Sequence, residues 1–154
     1  MKLNIDKTII QKLLNQAAED GVQKIVVRAV IMLNGKFLLL ERAHSDFLGG
    51  LVVLPGGTVN AKEGILQALV REIKEETNLE ITAIVAYLGS FDYLSSSGKK
   101  SRQLNFLVEI EGNIKIDKTE HSNYFLLNPS DKEFSRLNIS NGTKKILLSL
   151  YKKA

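Results

Sequence analysis

Arg71, Glu72, Glu75 and Glu76 crowd three carboxylates and a guanidinium into one short stretch of the chain. At helical pitch the three glutamates stand at i, i+3 and i+4, so their carboxylates project from one side. Three such charges repel one another, and no three matching cations share the stretch. A divalent metal would neutralise them, and hard oxygen donors are what Mg²⁺ takes. Upstream lie the turn-forming sequence Leu54-Pro55-Gly56-Gly57 and then Glu63. The plain alternative is a wet helix face with Arg71 and Glu75 as an ordinary i, i+4 pair. That alternative leaves the glycine pair and Glu63 unexplained. Six residue types at fixed spacing, each used at roughly 7%, recur by chance on the order of once in 10⁵ chains of this length.

The segment Gly57-x5-Glu63-x7-Arg71-Glu72-Ile73-Lys74-Glu75-Glu76-Thr77-Asn78-Leu79 resembles the signature of the Nudix hydrolases, G-x5-E-x7-R-E-U-x-E-E-x-G-U with U apolar. Ile73 and Leu79 fill the apolar positions, and Leu54-Pro55-Gly56-Gly57 resembles the usual lead-in. Asn78 stands where the family usually has Gly. That position is expected to be the left-handed residue ending the helix, for which Asn is the next-best choice.

The resemblance implies an α/β chain with the Nudix fold, a mixed β-sheet sandwiched between helices, as a single domain over residues 1–154. It implies hydrolysis of a pyrophosphate linkage with Mg²⁺, for which Mn²⁺ substitutes. By motif position Glu72 and Glu76 are the principal metal ligands, with the Gly56 carbonyl and Glu75 completing or bridging the set. Arg71 orients the glutamates, and Glu63 acts on the metal through water. Relatives carry an acidic residue in the loop before an aromatic-bearing strand, and Glu120 in Lys118-Thr119-Glu120-His121-Ser122-Asn123-Tyr124 resembles it as a further ligand or base. Glu72 is the first choice of base and Glu120 the second. His121 is a further candidate base because of its residue type, although a lone loop histidine is more simply exposed. The substrate implied is a small nucleotide: a nucleoside triphosphate, oxidised or not, ahead of ADP-ribose or a nucleotide sugar. A silent nucleotide-sensing domain is the rival, and it would be expected to lack some of these carboxylates.

The elements that must hold these residues can be read from periodicity. Asn4 or Asp6 caps a first helix that buries Ile9, Ile10, Leu13, Leu14 and Ala17 and ends near Gly21. Residues 24–33 read as a strand, and Asn34-Gly35 as a hairpin turn into 37–41. A Gly-rich loop, Ala43 to Gly50, leads to a short strand at 51–54 and the Pro55-Gly56-Gly57 turn. The motif helix runs over residues 65–77, burying Ile65, Leu66, Ala68, Leu69 and Ile73. Strands follow at 80–91, 102–111, 114–116 and 124–127, and a last helix starts near Asn141.

Substrate contacts are expected from two places. Arg42 ends the second hairpin strand, where relatives place a phosphate-contacting Arg; a surface ion pair is the alternative. Around Gly98, Lys99, Lys100 and Arg102 could grip phosphates while Phe91 or Tyr93 stacks on a base. Basic residues guarding an edge strand are the alternative there. Strand alternation sends Gln103 and Asn105 to one face, as base or ribose readers if that face is the cleft. Specificity is expected in the loops at 43–50, 95–101 and 118–123.

With 154 residues, 44% of them hydrophobic, the chain can bury a sizeable core. It has no cysteine, which excludes disulfides and thiolate chemistry. No apolar run is long enough to span a bilayer, and no basic-then-apolar leader opens the chain, so a cytoplasmic protein without a membrane partner is expected. The net charge is +4 although much of the acid sits in the motif. The remaining surface is therefore basic and suits anionic small molecules; nucleic acid is not expected as a partner. Monomer and homodimer are both compatible with the apolar faces of the terminal helices.

Overall fold

The computed structural model describes residues 1–43 and 50–153, so most of the loop expected between Ala43 and Gly50 lies outside the described residues. The chain opens with β1 (Lys2–Leu3) and α1 (Thr8–Glu19). The Asp6 carboxylate accepts the Thr8 N–H at 2.9 Å, satisfying a donor the helix start would leave orphaned. Leu13 and Ala17 are the buried positions of α1, and Gly21 (φ +71°) lets the chain turn away. Residues 24–33, expected as one strand, divide at Ile31 into β2 (Lys24–Val30) and β3 (Met32–Leu33), and only β3 forms the expected hairpin with β4 (Lys36–Arg42). Its turn, Asn34 (φ 52°) and Gly35 (φ 75°), is left-handed at both positions, as a two-residue hairpin turn requires.

β5 (Leu51–Val53) and β6 (Gly56–Thr58) lead into α2 (Ile65–Thr77). Gly56 and Gly57 were expected to lie in a turn, yet they form a strand antiparallel to β2, with Gly56 opposite Arg28 and Gly57 opposite Val27. α2 buries Ile65, Ala68, Leu69 and Ile73 as expected, while Leu66 is only partly covered. The helix ends at Asn78 in the left-handed conformation (φ 65°).

β7 (Glu80–Leu94) and β8 (Lys100–Glu111) form a ribbon that runs farther toward its turn than the sequence suggested. Three register shifts along it strengthen its twist. Ile114–Ile116 is no strand; Ile114 and Ile116 pack against the core while the Lys115 N–H is held by the Thr77 carbonyl. β9 (His121–Leu127) starts earlier than expected, and β10 (Asn138–Ile139), too short to carry a periodic signal, precedes α3 (Asn141–Lys153).

The expected mixed sheet is two five-stranded sheets. One runs β1-β7-β8-β2-β6, with β2 and β8 parallel. The other runs β10-β5-β4-β3 with β9 also on β4. One core cluster joins Leu13 of α1 and Leu69 and Ile73 of α2 to Val27, Ala29 and Phe106. A second joins Leu147 of α3 to Val30, Phe37, Leu39 and Leu54. The strands therefore lie between α1 and α2 on one side and α3 on the other, the α/β arrangement expected.

Candidate active site

Burial of the Ile65, Leu69 and Ile73 edge turns the charged edge of α2 toward β6. A Cβ on Gly57 would overlap the Glu72 carboxyl group, and one on Gly56 (φ +148°) would overlap the Val27 carbonyl oxygen. Glycine at both positions lets α2 carry its carboxylates onto the backbone of β6. There the Gly56 N–H donates to Glu76 Oε1 at 2.6 Å.

Arg71 organises the outer side of the cluster. Its Nε and Nη2 grip Glu63 at 2.6 and 2.9 Å, Nη2 also reaches the Thr58 carbonyl at 3.1 Å, and Nη1 donates to Glu72 Oε1 at 2.9 Å. This fork holds the Glu63 carboxyl down at about 2, chiefly through the Arg71 hydrogen bonds, and raises Arg71 in turn. Glu75 lies 3.3 Å from Arg71 Nη1 with its side chain 59% exposed.

Glu76 sits deeper, its side chain 4% exposed, with Oε2 3.3 Å from His121 Nε2. Burial pushes its carboxyl up to about 8, helped by the charges of Glu72 and Glu120 and opposed by Arg28 and the Gly56 N–H. Glu120 is also raised, first by burial and then by Asp117 and Glu72. Ligand atoms of Glu76, Glu120 and His121 lie within 4.8 Å of one another. Carboxylate and imidazole donors that close, one of them a buried carboxylate that only a compensating charge would keep ionised at neutral pH, suit a divalent cation.

A cavity of about 570 Å³ opens over this cluster, with Glu72, Glu76, Glu120 and His121 on its acidic side. Lys24, Arg28 and Arg42 supply its cations, and Gly56–Thr58 and Tyr93 complete the walls. Of the residues expected at the site, Gly56, Glu72, Glu76, Glu120, Arg42 and Tyr93 line the cavity, while Glu63 and Arg71 brace it from behind. Glu75 is not among the lining residues: its largely exposed side chain lies against Arg71 Nη1, although its charge reaches Glu120.

Most of the expected substrate contacts fall elsewhere. Arg102 is bound by Asp92 at 2.7 Å and Asp20 at 2.9 Å, and Lys100 Nζ donates to the Asp20 carbonyl at 2.7 Å. These two cations tie the β7–β8 ribbon to the end of α1. Lys99 stands at the ribbon turn, away from the cavity lining. Gln103 and Asn105 occupy the cavity face of β8, beside Val26 and Arg28, but bond to each other at 2.8 Å, and Asn105 donates to the Gly89 carbonyl at 3.1 Å. The Phe91 ring packs on Gly142 at the start of α3, where a Cβ would lie 2.6 Å from it.

Lys24 and Arg28 line the cavity without having been anticipated, and Thr119 comes from the 118–123 loop where specificity was expected. For Arg28 a signal existed: a cation at the centre of the apolar run Ile25–Ile31, with Lys24 and Val26 on the same alternate face. His121, taken as an exposed loop residue, is buried at 4% because β9 begins with it.

The fold and the acidic helix beside a glycine strand define a class. The chain belongs to the NUDIX domain family, whose pattern matches residues 23–148. It is 34% identical to the ADP-ribose pyrophosphatase of Methanocaldococcus jannaschii over 110 residues, 68% of this chain and 62% of that protein. It is 44% identical to the CTP pyrophosphohydrolase of Escherichia coli over 57 residues, 37% of this chain and 42% of that one. The matches thus span less than two thirds of either relative. The MutT protein from Methanosarcina mazei superposes with a TM-score of 0.72 at 24% identity, covering 84% of this chain and 94% of that one, a likeness of fold. Among the described residues no helix is long and apolar enough to cross a membrane.

Proposed function

We propose that this chain is a Mg²⁺-dependent hydrolase of the pyrophosphate linkage in a nucleoside diphosphate joined to another group. The observation that carries this reading is the convergence of Glu72, Glu76 and Glu120 in one cavity with Lys24, Arg28 and Arg42. Glu72, Glu76 and Glu120 are assigned to hold the metal, with Mn²⁺ as its substitute. The Gly56 carbonyl keeps its place in the set only alongside Arg28, which already donates to it at 2.8 Å. His121 Nε2, within reach of Glu76, joins the candidates. When bound, such an ion neutralises phosphate oxygens and lowers the pKa of water.

The residues of the chain supply the rest. Arg71 and Glu63 fix the Glu72 side chain, so that in-line geometry survives thermal motion. The cationic wall holds the phosphate chain against the acidic one. A water oxygen attacks one phosphorus, the bridging P–O bond breaks, and the departing phosphate carries off the bond's electron pair. Glu72 and Glu120 are the carboxylates assigned to take the water's proton.

The substrate favoured is a nucleoside triphosphate, cleaved to the monophosphate and pyrophosphate. A cavity whose described lining is mostly charged or polar, with Tyr93 as its one phenol, suits a compact ligand held mainly by its phosphates. ADP-ribose or a related nucleotide sugar is the second reading, favoured by the relative that matches the larger share of this chain. Release from ordinary and oxidised nucleoside triphosphates, ADP-ribose and nucleotide sugars, compared in Mg²⁺ and in EDTA, decides between them, and ¹⁸O-water shows which phosphorus is attacked. Turnover of one class above about 10⁴ M⁻¹s⁻¹ in kcat/KM is expected. Trace activity with every compound, together with tight binding of one, would replace hydrolysis by nucleotide sensing.

A further inference from the structure

Arg28 is the most unusual residue of the cavity that the Nudix motif does not account for. It lies in the middle of β2, within the sheet, and is only 9% exposed. Nη1 donates to the Leu54 carbonyl at 3.1 Å and the Gly56 carbonyl at 2.8 Å. The other donors are uncommitted: Nε is buried without a hydrogen-bond partner among the described residues, and none is found there for Nη2. A guanidinium has five N–H donors in a planar fork, and leaving the buried Nε–H unpaired in a low-dielectric site is costly.

Its neighbours relieve that cost only in part. Burial lowers the Arg28 pKa; Glu76, Tyr93 and Glu72 oppose this, while the charge of Arg42 adds to it. Glu76 is committed to the Gly56 N–H and stands beside His121, and no hydrogen bond joins it to Arg28. Two guanidiniums thus share one wall of a cavity, close enough to disfavour each other. The Tyr93 phenol feels both, since their charges lower its pKa against the larger effect of burial. The occupant such a wall lacks is an anion with several acceptor oxygens, and a guanidinium edge matches two phosphate oxygens side by side.

We propose that Arg28 is the phosphate anchor of this cavity, binding a diphosphate oxygen with its uncommitted edge while Nη1 fixes the β6 backbone. The inference rests on the hydrolase reading and adds a specificity-determining residue to it. Arg28 bonds the Gly56 carbonyl and Glu76 bonds the Gly56 N–H, so one peptide strand separates the anchored phosphate from the acidic cluster. The same anchor makes a diphosphate, rather than a lone sugar or base, the group that the cavity recognises first.

The probe is methylene diphosphonate, which keeps the phosphate geometry and resists hydrolysis, titrated calorimetrically in Mg²⁺ against wild type, Arg28→Lys and Arg28→Met. Arg28→Met keeps much of the length and apolar bulk, and Arg28→Lys keeps the charge but loses the fork. A loss of affinity of about tenfold or more in both is expected, clearly larger than any change in Mg²⁺ affinity measured without the probe. A solely structural Arg28 would instead leave probe affinity unchanged, or weaken Mg²⁺ and probe alike; either result overturns the inference. A measurement on the unmutated protein covers the case in which neither variant folds. The ¹⁵N resonance of a buried arginine Nε–H should shift and gain exchange protection on adding the probe, and an unchanged arginine spectrum overturns the proposal. If wild type itself binds no diphosphonate in Mg²⁺, the hydrolase reading fails first, which separates the two outcomes.

Discussion

At the scale of single residues, the site depends on the missing side chains at 56 and 57 as much as on the charges. Gly57→Ala would drive a methyl group into the Glu72 carboxyl, and Glu72 is already tethered to Arg71. The variant is expected to lose about 1–3 kcal/mol of stability and to bind Mg²⁺ more weakly, as urea unfolding and calorimetry would show. Retention of both would mean that Glu72 moves aside freely. The motif glutamates and the arginine brace were legible because few arrangements of three carboxylates at helical spacing are explained without a cation. Arg28 was legible only in part, because a cation inside an apolar run is a signal but nothing in the sequence brings β2 beside β6. Lys99, Lys100 and Arg102 misled for a related reason. A run of cations suggests phosphate, but whether Asp92 and Asp20 already bind it depends on tertiary contacts.

At the scale of elements, α2 is held at its start by the Arg71–Glu63 fork and at its end by Asn78. The fork contributes stability that depends on pH in a definite direction. Glu63 is held down at about 2 against an ordinary value of 4.5, so the contribution is complete above about 4.5 and fades as pH falls toward 2. The difference in urea midpoint between wild type and Glu63→Gln should therefore be constant from pH 7 to 5 and shrink steadily below. A difference that persists unchanged at pH 2 would show that the fork is not responsible. Asn78 was identified from sequence as a left-handed residue in place of glycine, and φ 65° agrees. Asn78→Ala is expected to cost about 1 kcal/mol with kcat unaltered; no cost would mean that the helix end relaxes. Long periodic elements were read to within a few residues, whereas β6 and β10, at three and two residues, carry too little pattern. The Gly-Gly pair reads locally as a turn, and only pairing with β2 makes it a strand.

At the scale of the whole molecule, a net charge of +4 coexists with an acidic cluster in one wall of a cavity whose other wall is basic. An anionic substrate drawn in by this field should feel salt: kcat/KM is expected to fall by about threefold or more between 20 and 300 mM KCl, with kcat changing less. A flat response would mean that the field does not steer binding. The α/β class followed from the alternation of helical and strand periods, but the division into two sheets did not, because pairing is a long-range choice. All of this converges on Glu76, which is buried, bonded to β6 and set between Arg28 and the carboxylates of Glu72 and Glu120. The most direct test is steady-state hydrolysis in Mg²⁺ by Glu76→Gln beside wild type. Glutamine keeps an oxygen for the Gly56 N–H, so the fold should persist. The variant is expected to lose about a hundredfold or more in kcat, and turnover within about threefold of wild type would contradict a metal-dependent site built on this carboxylate.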